Sequence, residues 1–249
     1  GYPVPSYSLY PVLAALQGAK QIEVELDTDF QLPRNTAEQL HGASLFFLAR
    51  PNAPTGNAFS MADVEALCAE FPGIVWIDEA YADFGQNNCA GLVCRYPNVI
   101  VSRTLSKSYS LAGIRFGFVL AHPDLITQML KVKDSYNVNM ITQILAEAAL
   151  RDQDYMRTTV DRICATRQCT AAALSRLGFR VLPSEANFLF AESPVNASTL
   201  HSALRSAGYL VRYFPGARTG DFLRITIGTA DQMSGFVTAV ENILETWSD

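Results

Sequence analysis

Asn98-Val99-Ile100-Val101-Ser102-Arg103 is an apolar run that stops abruptly on polar and charged residues. A short continuous run of this kind suits a strand buried on both faces. The same form recurs upstream in Gly73-Ile74-Val75-Trp76-Ile77-Asp78, and before it in Ser44 to Ala49 (SLFFLA), which Arg50-Pro51 ends. Downstream, Phe116 to Ala121 (FGFVLA) repeats it, while Gln21 to Leu26 alternates apolar and polar residues with the period of a strand. Between two of these runs Ser60-Met61-Ala62-Asp63 has the form of a capped helix start, which predicts a helix to about Glu70. Strands separated by helical stretches predict an α/β architecture, a mostly parallel sheet flanked by helices.

Further along, the pattern changes. Val138 to about Leu177 reads as helical, with a break at Asp152 to Asp154 and a stop at Gly178. Four short strands are then predicted at Phe179–Leu182, Asn187–Phe190, Tyr209–Arg212 and Phe222–Ile227, with helices at Ser198–Ala207 and Asp231–Trp247. This reads as a small α+β domain. The expected division is therefore residues 1–150 as a large domain and residues 151–249 as a small C-terminal one.

The 249 residues carry 19 Lys+Arg against 24 Asp+Glu, a net charge of -5, and this balance argues against a nucleic-acid partner. No run approaches the roughly 18 apolar residues of a membrane helix. The first residues, Gly1 to Pro5, lack the regions of a signal peptide. Five cysteines (Cys68, Cys89, Cys94, Cys164 and Cys169) suggest reduced thiols and a cytoplasmic location. Their two C-x4-C spacings lack a second pair or a nearby histidine, so no metal site is expected.

Chemistry gathers where the apolar runs end: Arg50 to Asn57, Asp78 to Tyr81, and Arg103 to Lys107. In open α/β sheets ligands sit outside the carboxyl ends of the strands, so three strand ends offer side chains to one crevice. Lys107, just past a buried strand, can form a Schiff base with an aldehyde cofactor. Thr104, Ser106 and Arg115 around it suit a phosphate group. Asp78 can pair with a protonated pyridine nitrogen, and Tyr81 can hydrogen-bond a phenolate. Each segment read alone has a plainer meaning: a solvated lysine, a helix-capping aspartate, a proline-rich turn over Arg50 to Gly56. Arg212 and Arg224, each on a predicted strand, suit recognition of a carboxylate or phosphate, or else form internal ion pairs.

Together the segments are more specific. Pro51-Asn52-Ala53-Pro54-Thr55-Gly56, Asp78-Glu79-Ala80-Tyr81, Thr104-Leu105-Ser106-Lys107 with Leu111 to Gly117 (LAGIRFG), and Leu223 to Thr229 (LRITIGT) follow one another in an order that resembles the fold-type I pyridoxal-phosphate aminotransferases. The pattern is nearest to the histidinol-phosphate aminotransferases, and the resemblance runs from Pro5 to the C-terminus. It implies that Lys107 is the Schiff-base lysine and the proton carrier between substrate Cα and cofactor C4′. It implies that Asp78 holds the pyridine nitrogen protonated, that Tyr81 donates to O3′, and that Thr104, Ser106 and Arg115 bind the phosphate of pyridoxal 5′-phosphate. Tyr7 would stack on the ring, Arg224 would hold the substrate α-carboxylate and Arg212 would help bind a substrate phosphate.

The resemblance further implies an amino donor, L-histidinol phosphate, a 2-oxo acid acceptor, 2-oxoglutarate, and a homodimer. Threonine-phosphate decarboxylation and aromatic amino-acid transamination are alternatives within the same cofactor class, and a non-catalytic relative is the alternative outside it. Two departures stand out. Ala53 replaces the asparagine that opens N-P-T-G in much of the family; Asn52, one place earlier, enters the candidate cofactor set in its stead. The match also starts well inside the family's larger domain, so that an N-terminal arm, a first strand and helix and a glycine/serine loop are expected to have no counterpart here.

Overall fold

Residues 1–247 are described by a computed structural model. The chain opens on β1 (Tyr2–Val4), α1 (Leu9–Leu16) and β2 (Glu23–Glu25), with β1 and β2 paired in parallel. A single helical turn, α2 (Thr36–Gln39), leads into β3 (Leu45–Ala49), α3 (Met61–Glu70), β4 (Ile74–Asp78) and β5 (Val99–Thr104). β3, β4 and β5 are parallel neighbours. Phe46, Leu48, Val75, Ile77, Val99 and Val101 are all fully buried and, by register, share one face of the sheet. The other face, with Leu45, Phe47, Ile74 and Trp76, is apolar but only half-buried, so the expected burial on both faces is met on one. α3 starts as its sequence predicts, with Ser60 Oγ accepting from the Asp63 amide.

The register aligns Ala49 with Asp78 and Asp78 with Ser102, so β3 and β4 end at one level and β5 runs past it to Thr104. β6 (Gly117–Ala121) pairs antiparallel with β5, Thr104 opposite Gly117. The segment between them holds only a 3-10 turn at Ala112–Ile114, too little for the crossover a parallel strand needs. This reversal is what returns Arg115 to the side of Thr104.

Next come α4 (Pro123–Val132), α5 (Met140–Arg151) and α6 (Gln153–Arg176). The break predicted near Asp152 is a change of role, because its carboxylate caps α6 by accepting from the Tyr155 amide. The last part comprises β7 (Arg180–Val181), β8 (Phe188–Glu192), α7 (Ala197–Ser206), β9 (Arg212–Tyr213), β10 (Phe222–Thr226) and α8 (Ala230–Thr246). These strands form an antiparallel sheet in the order β7-β8-β10-β9. The strand predicted over Tyr209–Arg212 begins only at Arg212. Gly208, at φ +89°, and the Tyr209 amide, bonded to Leu204 O, still close the end of α7.

The two sheets share a core. Leu182, Phe190 and Phe222 of the second sheet pack in one cluster with Phe46, Leu48 and Val101 of the first. Arg167 on α6, 9% exposed, donates from one nitrogen to Phe84 O (3.3 Å) and to Ala186 O (2.6 Å), one carbonyl from each half. A second cluster lies under α6, α7 and α8. Among the described residues no helix is long and apolar enough to cross a membrane.

Candidate active site

The carboxyl ends of β3, β4 and β5 open into a cavity of about 430 Å³. Tyr7, Asp78, Tyr81, Thr104, Ser106, Lys107 and Arg115 all line it. Seven side chains from four separate stretches of sequence are thereby brought to one cavity, because the parallel strands share a carboxyl end and β6 turns back.

Asp78 sits at the last position of β4. Its Oδ2 accepts from the Tyr10 hydroxyl at 3.2 Å, and its Oδ1 accepts from the Ala80 amide at 3.2 Å and the Ser102 hydroxyl at 3.5 Å. Desolvation is the largest influence and pushes its pKa above the usual carboxylate range, against the pull of these donors and of the Lys107 charge. Tyr10, stacked on Phe47 with ring centroids 4.9 Å apart, is a partner the sequence reading missed. Burial and the adjacent Asp78 charge keep its phenol protonated, so it is a donor to that carboxylate.

Lys107 Nζ lies 5.4 Å from the centroid of the Tyr81 ring. That ring in turn meets Phe188 of β8 edge-on at 5.1 Å, which ties the lysine wall to the second sheet. Thr104 Oγ1 donates to Phe116 O (3.1 Å), lies 2.8 Å from Ser106 Oγ and accepts from the Ser106 amide (3.1 Å). Arg115 adopts a left-handed backbone, φ +57°, and its guanidinium donates to Ala112 O at 2.9 Å. For a non-glycine residue that conformation costs on the order of 1–3 kcal/mol, and such residues cluster at ligand sites.

An ion-pair network braces this wall. Arg103 pairs with the buried Glu79 (2.7 Å) and with Asp83 (2.9 Å), Ser108 Oγ donates to Asp83 at 2.5 Å, and the Cys89 amide donates to Glu79. Glu79 and Ser108 are the chain neighbours of Asp78 and Lys107. The network therefore fixes the acid and the amine relative to each other. The sequence does carry a signal for it. Glu79 and Arg103 each follow by one residue a pair of register partners, Asp78 and Ser102, which puts opposite charges on adjacent strand ends.

Three expected residues stand apart from the cavity. Asn52 is fully buried and does not line it. Its amide donates to Pro5 O (3.0 Å) and Thr55 Oγ1 (2.8 Å), and its Oδ1 accepts from Ser6 (2.8 Å). Every polar atom of Asn52 is thus spent on loop structure, and the place of a cofactor ligand falls to no asparagine in this turn; Ala53 lines the cavity instead. Arg224 and Arg212 lie opposite each other on β10 and β9. Arg224 reaches toward the site over the face of Phe188, 5.1 Å from its centroid, while Arg212 is exposed.

A family model for class I and II aminotransferases matches residues 2–240. The chain belongs to that family. Among curated relatives, this aminotransferase is 43% identical over 244 residues to the histidinol-phosphate aminotransferase of Microcystis aeruginosa, covering 97% of the chain and 69% of the relative. It is 41% identical to that of Geotalea uraniireducens, covering 97% and 70%. Its fold superposes on the crystal structure of histidinol-phosphate aminotransferase from Sinorhizobium meliloti in complex with pyridoxal-5′-phosphate. That match has a TM-score of 0.91 at 25% identity and covers 99% of this chain and 70% of the other. The aminotransferase thus spans about 70% of the length of the curated relatives it matches.

Proposed function

We propose that the cavity holds pyridoxal phosphate and that the chain transfers the amino group of L-histidinol phosphate to 2-oxoglutarate. The observation that carries the reading is the donor set on the one cavity: a desolvated carboxylate, a primary amine, a phenol, and two hydroxyls beside a guanidinium. That set matches, group for group, what a pyridinium nitrogen, an aldehyde, a phenolate oxygen and a phosphate require. When bound, the cofactor supplies an electron sink for the charge that develops at the substrate Cα.

The remaining work belongs to the chain. Lys107 Nζ anchors the cofactor and then takes the Cα proton and returns it at C4′. Asp78, oriented by Tyr10, Ser102 and the Ala80 amide, receives the pyridine N–H and keeps that proton in place. The Tyr81 hydroxyl donates to O3′, the more nearly alone because Asn52 is committed elsewhere. Thr104, Ser106 and Arg115 bind and orient the phosphate, and Tyr7, at the cavity rim, covers the ring. Arg224 and Arg212 take the anionic groups of the two substrates in turn. One substrate carries a phosphate and the other two carboxylates, so one basic surface must serve both.

The test is to incubate the protein with pyridoxal phosphate, reduce with borohydride, and map the adduct by peptide mass. A single adduct on Lys107, with glutamate formed from histidinol phosphate and 2-oxoglutarate, is the expected result. No adduct on a folded chain defeats the cofactor reading. Carbon dioxide released from a phosphorylated amino acid, or transfer only from aromatic amino acids, defeats the substrate reading.

The same reading extends to a division into two domains near residue 150, a cytoplasmic location and a homodimer. The five free thiols support the second. The exposed Leu130, Val132, Met140, Ile141 and Ile144 of α4 and α5 support the third. Sedimentation velocity is expected to give twice the chain mass, with Ile141→Glu returning it to the single value; a wild-type monomer at all concentrations defeats the dimer.

A further inference from the structure

Arg224, half-buried, and Arg212, exposed, are unlike the buried or paired arginines of the fold. Arg50, Arg103 and Arg167 are each satisfied by carbonyls or carboxylates. The side chains of Arg224 and Arg212 make neither a hydrogen bond nor an ion pair among the described residues, and Arg224 Nε is buried with no partner.

What they have in common is Phe214. The Arg224 guanidinium lies 5.4 Å from the centroid of that ring and the Arg212 guanidinium 5.5 Å from it. The ring is itself held edge-on by the buried Phe190 at 6.4 Å. Antiparallel register sets the two arginines directly opposite each other, where like charges repel. A ring face attracts a guanidinium electrostatically without neutralising it. A carboxylate in the same place would pair with both arginines and cancel the site.

We infer that Phe214 is a specificity-determining residue: one ring contacts both uncompensated guanidiniums, which rise from directly opposed strand positions, so that the arginine surface favours a dianionic group, such as a phosphate monoester, over a monoanion. The inference rests on the reading of Arg224 and Arg212 as substrate arginines and adds how they are held. A dianion can answer both charges at once and give Arg224 the partner it lacks; a monoanion leaves one charge facing another. Phe214 touches no reacting atom and acts through the arginines, as a positioning residue does.

The experiment is calorimetric titration of inorganic phosphate, with acetate as the monoanion, into protein loaded with pyridoxal phosphate so that the cofactor's own phosphate site is filled. Phe214→Leu keeps an apolar side chain and removes the ring face; Phe214→Tyr keeps the face. The expected result is phosphate binding about tenfold weaker in Phe214→Leu, acetate binding changed less than twofold, and Phe214→Tyr close to wild type. In steady-state assays the same loss would fall on KM for the phosphorylated donor, with kcat retained. If Arg224→Lys and Arg212→Lys weaken phosphate binding but Phe214→Leu does not, the role of Phe214 is overturned while the substrate arginines stand. If neither arginine variant changes phosphate binding, the arginine reading fails and takes this inference with it.

Discussion

Lys107→Ala is expected to lower transamination turnover on the order of 10⁴-fold and to abolish the borohydride-stable adduct. General acid–base transfer by a positioned group contributes roughly 10²–10⁴-fold, and this side chain is also the covalent anchor. The loss should be one of chemistry. Lys107 lies at the cavity wall and makes no ion pair among the described residues; its side chain contacts the Tyr81 ring and its charge acts on Asp78 from a distance. Its removal should therefore leave the fold intact and leave the phosphate contacts of Thr104, Ser106 and Arg115 able to retain cofactor. Added primary amine should restore part of the rate by supplying the missing base in solution. A Lys107→Ala protein that keeps wild-type turnover, or an adduct that persists in it, would overturn the assignment.

Asp78→Asn is expected to act in opposite directions on activity and stability. Turnover should fall about 10²–10³-fold, the scale of losing one preorganised electrostatic partner. The cofactor-free protein should become more stable at neutral pH. In the folded state desolvation raises the Asp78 pKa above its unfolded value of about 3.9. Between those two values the folded chain binds the proton more tightly than the unfolded chain does. Stability conferred by the wild-type residue therefore falls as pH rises through that window, and stays lower above it. Replacing the carboxylate by an amide removes that loss, so the gain should be seen at pH 7 and vanish below about pH 3.9, where both side chains are neutral. Urea unfolding at the two pH values, beside kcat at pH 7, measures both effects. A variant less stable than wild type at pH 7 would mean that the bonds from Tyr10 and Ser102 outweigh the desolvation.

The strands of the first sheet were legible because the half-buried face is as apolar as the buried one, which leaves a continuous run, and the functional side chains were legible because those runs end on them. Direction was not. Phe116 to Ala121 has the same composition whether it runs parallel or antiparallel, and only the shortness of the preceding segment decides it. Asn52 shows a second limit. Spacing places a residue type in a turn but cannot say which way its amide points, and here three hydrogen bonds turn it into the loop. Tyr10 and Phe214 carried no chemical signature, since an aromatic residue in a helix or after a strand reads as packing. Their roles come from what stands next to them in space, Asp78 for one and two arginines for the other.

Arg167 bears on how firmly the two sheets are held together. One of its nitrogens holds the carbonyls of Phe84 and Ala186, beside a core to which both sheets contribute. Swinging the halves apart would strip one carbonyl from a buried cation and bare the shared rings. An unmet buried polar group alone costs about 1–3 kcal/mol. Relative motion of the two sheets is thereby penalised, and the frame behind the cavity wall is held in place.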